Sequence, residues 1–165
     1  VKKFLVSMAL GATIIGLSAC NGNDAETPVE NADPDAPAGI SVENARLILP
    51  PVSGNPAAAY FDITNNGEKT MVIRAVSVAG AESAAMHQVS SWEGKESMDD
   101  IFQLNVPIGE TVKFTPGERH VMVMGLADNA KAGDEIEVTL TFAGGDKISF
   151  PAEIHAAGDD READE

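Results

Sequence analysis

The chain has 165 residues, with 11 Lys plus Arg against 26 Asp plus Glu, for a formal net charge of -15. That length supplies one ordinary domain with its own core and leaves no room for a second. The negative charge repels phosphate backbones and excludes nucleic acid as a partner, while a single cysteine, Cys20, excludes an internal disulfide and a thiolate-rich zinc or iron–sulfur centre.

Residues 1–19 read as an export signal. Lys2 and Lys3 precede a mostly apolar stretch, residues 4–17, that is short for a bilayer span and is followed by small residues. Leu17-Ser18-Ala19-Cys20 looks like a bacterial lipobox, where the signal is cut before a cysteine that is then acylated. Cys20 is therefore the expected lipidation site, and several acyl chains at about 0.8 kcal/mol per buried CH₂ make a stable membrane anchor. The expected location is the periplasmic face of a membrane, with Asn21 favouring the outer membrane by the enteric sorting rule. Loss of Lys2 and Lys3 takes the net charge from -15 to -17. Residues 20–38, the lipidated cysteine and a linker rich in Asp, Asn, Pro and Ala, have no apolar period and read as a disordered tether. A flexible chain of that length spans roughly 25 Å.

Residues 39–156 form the expected domain, and 157–165 an acidic disordered tail. Strands are predicted over 40–49, with a bulge near Asn44 and a stop at Pro50-Pro51, and over 57–64 before the turn signal Asn65-Asn66-Gly67. Further strands are predicted over 71–78, 83–92, 112–114, 120–124, 135–142 and 147–151, with Gly144-Gly145-Asp146 as a hairpin turn. No stretch past residue 40 holds a 3.6-residue apolar period with caps. Seven to nine short strands make this an all-β single domain, a β-sandwich or Greek-key barrel.

The chemistry-bearing residues are three histidines, 87, 120 and 155, two of which adjoin methionine: Met86-His87 and His120-Val121-Met122. On a strand, Val121 and Val123 point to one face and His120, Met122 and Met124 to the other. If the valines enter the core, a row of imidazole and thioether groups faces outward. Such soft nitrogen and sulfur ligands favour Cu(I) over zinc, magnesium or calcium. Outside the cytoplasm free thiolates oxidise to disulfides, whereas thioethers do not, so Met and His suit a Cu(I) carrier there. A blue-copper electron carrier needs a Cys ligand that the domain lacks. Methionine is also a common core filler, and a lone histidine is ordinarily just a hydrogen-bonded residue. Spacing and chemistry alone leave both readings open.

Ten residues separate His87 from Met98, twenty-one separate Met98 from His120, and one separates His120 from Met122. This spacing resembles the His-x10-Met-x21-His-x-Met signature of the PCu(A)C family of periplasmic copper chaperones. AAAYFDITNNG at 57–67, FTPGERHVMVMGL at 114–126 and GDEIEVTLTF at 133–142 agree, so the resemblance covers about residues 40–154. It implies a cupredoxin-like β-sandwich that binds one Cu(I) through His87, Met98, His120 and Met122. It also implies a non-enzymatic role: delivery of copper to the CuA centre of cytochrome c oxidase subunit II, sometimes beside a Sco-type thiol protein. His120 and Met122 are expected on one strand and Met98 on a loop, as a release handle. The chain departs from many relatives at Asp99-Asp100 and at Gly117-Glu118-Arg119, and its carboxy-terminal tail carries no His or Met. His155 is read as a surface histidine, and Met124 as a side chain on the same strand face as the expected ligands. The competing functions are a periplasmic copper buffer serving resistance and a metal-free assembly or adhesion β-sandwich. Nothing in the sequence signals an oligomer, so a monomer is expected.

Overall fold

The computed structural model describes residues 36–92 and 94–159. The export signal, the lipidation site Cys20, most of the linker and the end of the acidic tail lie outside the described residues. Ten strands follow in order: β1 (Ile40–Ile48), β2 (Ala57–Asn65), β3 (Met71–Val78), β4 (Ser83–Trp92), β5 (Lys95–Asp100), β6 (Leu104–Val106), β7 (Thr111–Phe114), β8 (Arg119–Met124), β9 (Glu135–Phe142) and β10 (Lys147–His155). The expected count of seven to nine is exceeded because β5 and β6 carry no usable sequence signal. Every side chain of β5 is exposed, and β6 has three residues.

The strands form one hydrogen-bonded sheet in the order β5-β4-β8-β2-β1-β10-β9-β3-β6, with β7 also paired to β2. Strands distant in sequence thus lie side by side, as Greek-key connections require. All pairings are antiparallel except β1 with β10. β2 shows why the strands form: Ala57, Ala59, Phe61, Ile63 and Asn65 are buried in strict alternation with half-exposed neighbours. Phe61 stacks on Phe114 at 4.3 Å and meets Phe150 edge-on at 5.2 Å, within one cluster fed by nine of the ten strands. Each such aromatic pair adds about 0.5–1.5 kcal/mol beyond area burial. The bulge expected in β1 is present: Asn44 has φ 56° and the pairing with β2 shifts between Glu43 and Arg46.

Asn65 ends β2 fully buried and fully partnered. Its Nδ2 donates to the carbonyls of Lys69 (2.9 Å) and Val106 (2.8 Å), and its Oδ1 accepts from Gly67 N (3.0 Å). The Asn65-Asn66-Gly67 signal is therefore a polar knot that ties the β2–β3 connection to β6, with only its first residue in a strand.

Candidate metal centre

β4 lies between β5 and β8, and its register sets the site. His87 is paired on one side with His120 of β8 and on the other with Asp100 of β5. Residues two apart on a strand share a face. Met122, two beyond His120, and Met98, two before Asp100, therefore lie on the same face as the two histidines. The four residues singled out in the sequence fall on one face of the β5–β4–β8 segment.

Two local features create this register. The first is the β4–β5 hairpin. Trp92 pairs with Lys95, and Gly94, at φ 75°, turns the chain between them. The hairpin is stapled by Ser90 Oγ, which lies 2.7 Å from Ser97 Oγ and donates to Asp99 Oδ2 at 2.6 Å. A one-residue slip would send Met98 to the opposite face. The second is the connection from β7 to β8. Both strands pair with the same edge of β2, where Phe61 faces Phe114 and Ala59 faces Val121. Two positions on β2 thus span seven on the partner chain. The excess is taken up by residues 115–118, where Gly117 has φ 80° and Glu118 N donates to Thr115 O at 3.1 Å. Insertions of this kind re-aim side chains next to functional sites. Here the inserted turn brings the Glu118 carbonyl, two residues before His120, to Val89 N of β4 at 3.0 Å.

The valines enter the core as expected: Val121 and Val123 are fully buried. The opposite row is less outward than expected. His120 is 8% exposed, Met122 is half-buried and Met124 is exposed. The row therefore runs from interior to surface along β8. The rings of His87 and His120 have centroids 5.8 Å apart, with planes inclined by 50°. His87 Nε2 lies 3.2 Å from Asp100 Oδ1, while its Nδ1 is buried with no hydrogen-bond partner. Desolvation by burial holds the His120 imidazole below its ordinary pKa of 6.5, and the neighbouring His87 pushes the same way, against a hydrogen bond to the Glu118 backbone that raises it. Burial dominates, so His120 favours the neutral form that a metal can use.

Met98 corrects the expectation of a loop ligand. It sits within β5, opposite Val89, and is 51% exposed on an edge strand. At the usual spacing of about 4.8 Å between strands and 3.3 Å per residue, Met98 and Met122 each lie about 8 Å from His87 and about 16 Å from each other. His87, His120 and Met122 form the compact part of the face, and Met98 stands off beyond His87. Met124 lies farther along β8, opposite Ser83. His155 ends β10 with Nε2 at 3.6 Å from Glu153 Oε2. It pairs with Ile48, which pairs with Ala58, which pairs with Met122, so three strand spacings, about 14 Å, separate it from that side chain.

Among the described residues, no group of three or more His, Cys, Asp or Glu side chains is arranged to hold a metal ion. A metal at this face would have to take thioether sulfur. The residues fit such an ion: a buried ring nitrogen without a partner, a second imidazole biased to neutrality, and two methionines on the same face. No local pattern marks Asp100 as the neighbour of His87, because only the hairpin register joins them.

The family described as "Putative lipoprotein LpqE-like" matches residues 40–154, from the first residue of β1 to within one residue of the end of β10. The chain belongs to the LpqE-like family. A relative named "Putative lipoprotein Lxx21020", from Leifsonia xyli subsp. xyli (strain CTCB07), is 29% identical over 147 residues, covering 87% of this chain and 84% of that protein. Among solved structures, the "Copper-bound PCuAC domain from PmoF2" superposes with a TM-score of 0.60 at 21% identity, covering 73% of this chain and 96% of that one. The solution structure of CuI-DR1885 from Deinococcus radiodurans gives a TM-score of 0.58 at 23% identity, covering 77% and 85%. The apo form of DR1885 gives 0.57 at 21% identity, covering 92% and 98%. The LpqE-like chain therefore has the all-β, cupredoxin-like fold of PCuAC domains, as expected.

Proposed function

We propose that this LpqE-like protein is a copper chaperone, not an enzyme, that carries one Cu(I) ion on the β5–β4–β8 face. The observation that supports this most is the direct pairing of His87 with His120, rings 5.8 Å apart, with methionine on the same face to either side. The relatives of matching fold include one described as copper-bound and one as its CuI form. The family description and the Leifsonia relative's name both say lipoprotein, in keeping with an envelope protein held at a membrane through Cys20.

In this reading His87 and His120 supply neutral imidazole nitrogen, Met122 supplies a thioether from the same strand as His120, and Met98 supplies the fourth donor. The ion is cargo, released by ligand exchange. Met98 suits the part of the ligand that leaves first, since its strand pairs only with β4 while Met122 is half-buried. Just past the end of β5, Phe102 is 79% exposed and offers an apolar contact to an acceptor.

The destination we propose is the CuA centre of cytochrome c oxidase, with a Sco-type protein as a thiol partner. The test is to mix two equivalents of the Cu(I)-loaded chain with the apo, thiol-reduced copper-binding domain of oxidase subunit II, separate the proteins, then remove one electron from the acceptor with ferricyanide and record the visible absorption of mixed-valence CuA. Appearance of that spectrum, with copper leaving the chain, is expected. Copper that stays on the chain would reject delivery to this acceptor and favour the copper-buffer reading of the same site.

A further inference from the structure

We propose that Asp100 is a positioning residue for the metal: it holds the proton of His87 on Nε2, so that Nδ1 is the nitrogen that donates to copper. This rests on the copper reading above and names which atom of His87 does the binding.

The argument starts from register. Asp100 is the residue directly opposite His87 on β5, and its Oδ1 lies 3.2 Å from His87 Nε2. A neutral imidazole carries one N–H donor and one lone-pair acceptor, whereas an ionised carboxylate only accepts. The carboxylate therefore selects the tautomer with hydrogen on Nε2. The lone pair then belongs to Nδ1, which is buried and lacks any hydrogen-bond partner. A buried acceptor left empty is unusual and asks for a ligand. A cation that accepts nitrogen donors satisfies it, and no side-chain donor among the described residues does.

His120 supports the same design. Its ring hydrogen-bonds to the Glu118 backbone. Metal-binding histidines ordinarily donate their second ring N–H to a carboxylate or a backbone carbonyl, which fixes tautomer and orientation and raises ligand basicity. The two histidines would then be braced by one group of each kind: Asp100 for His87 and the Glu118 backbone for His120. Asp100 itself is 60% exposed on the edge strand, so its removal leaves the core intact.

The test uses the uniformly ¹⁵N-labelled chain in mildly alkaline buffer, with long-range ¹H–¹⁵N spectra of the imidazole rings before and after one equivalent of Cu(I). In the apo parent, His87 is expected to carry its proton on Nε2 alone; on copper loading, its Nδ1 resonance shifts. Asp100→Ala is expected to show mixed tautomers at His87 and a Cu(I) dissociation constant 10- to 100-fold weaker, the usual cost of losing such a partner. Asp100→Asn, which keeps an acceptor oxygen, is expected to retain the tautomer and lose less affinity. His155, beside Glu153, serves as the internal control and should not change. A proton on Nδ1 of His87 in the apo parent, copper on Nε2 in the loaded form, or an Asp100→Ala affinity within twofold of the parent would each overturn the proposal. If the parent takes up no Cu(I), the copper reading fails and this proposal falls with it. If the parent loads normally and Asp100→Ala matches it, the positioning role alone is wrong.

Discussion

Replacing each methionine of the site by leucine removes the sulfur and keeps most of the volume, so copper affinity and fold stability should separate. Met98 is half exposed on the edge strand β5 and touches no core. Met98→Leu should change stability by no more than about 0.5 kcal/mol. For a domain of this size that is under about 2 °C in Tm. Met122 is half-buried beside His120, and a shape-conserving swap there costs less than about 1.5 kcal/mol, or up to about 5 °C. Losing an outer partner of a ligand already weakens a metal site 10- to 100-fold. Losing a ligand should therefore cost at least about tenfold, or about 1.4 kcal/mol. Met124→Leu is the matched control: it lies on the same strand and face but two residues farther from His120. Thermal unfolding by circular dichroism measures the first quantity, and anaerobic competition against a Cu(I) chelator measures the second. The expected pattern is tighter binding for the parent and Met124→Leu than for Met98→Leu and Met122→Leu, all four folded. Unchanged affinity in Met98→Leu and Met122→Leu, or a loss in Met124→Leu equal to theirs, would refute the ligand set.

Two further outcomes concern stability. Because burial lowers the pKa of His120 in the folded state, the unfolded chain takes up this proton first as pH falls. Its contribution is fully retained above about pH 6.5 and is progressively lost as pH drops below that value toward the folded pKa. Urea unfolding of the apo chain at stepped pH should show this decline, and His120→Gln should flatten it; an equal slope in both would refute it. Asn65→Leu removes three hydrogen bonds at a fully buried position and strands the Lys69 and Val106 carbonyls and the Gly67 N–H. At about 1 kcal/mol each, the loss is about 3 kcal/mol, read as a lower urea midpoint; a midpoint equal to the parent's would contradict it.

Much of the fold was legible in the sequence because most strands carry a buried face. β3 and β9 begin and end where apolar alternation begins and ends, and β4 was legible over its full length. β10 runs four residues past Pro151, since Ala152 and Ile154 continue its buried face while Pro151 and Glu153 face solvent. β5 was illegible: Lys95–Asp100 is polar or exposed throughout, and what makes it a strand is its pairing with β4, which no local pattern reveals. The same blindness put Met98 on a loop and left Asp100, noted only as a departure from relatives, without a link to His87. Within the site, His120 and Met122 could be read from strand alternation alone. His87 and Met98 came only through the resemblance in spacing, and the hairpin register supplies a physical reason for their shared face. The stretch between Phe114 and Val121, which is five positions longer than the matching stretch of β2 and leads into His120, is invisible without the pairing on both sides.

The most direct measurement is an anaerobic Cu(I) titration of the ¹³C-methyl-methionine-labelled chain, counting equivalents bound while watching each thioether methyl. Uptake should stop at one equivalent, with the Met98 and Met122 methyl resonances shifting together and those of Met71, Met86 and Met124 staying in place. Failure to bind a stoichiometric equivalent, or uptake that leaves the Met98 and Met122 methyls unmoved, would contradict a copper site on the β5–β4–β8 face.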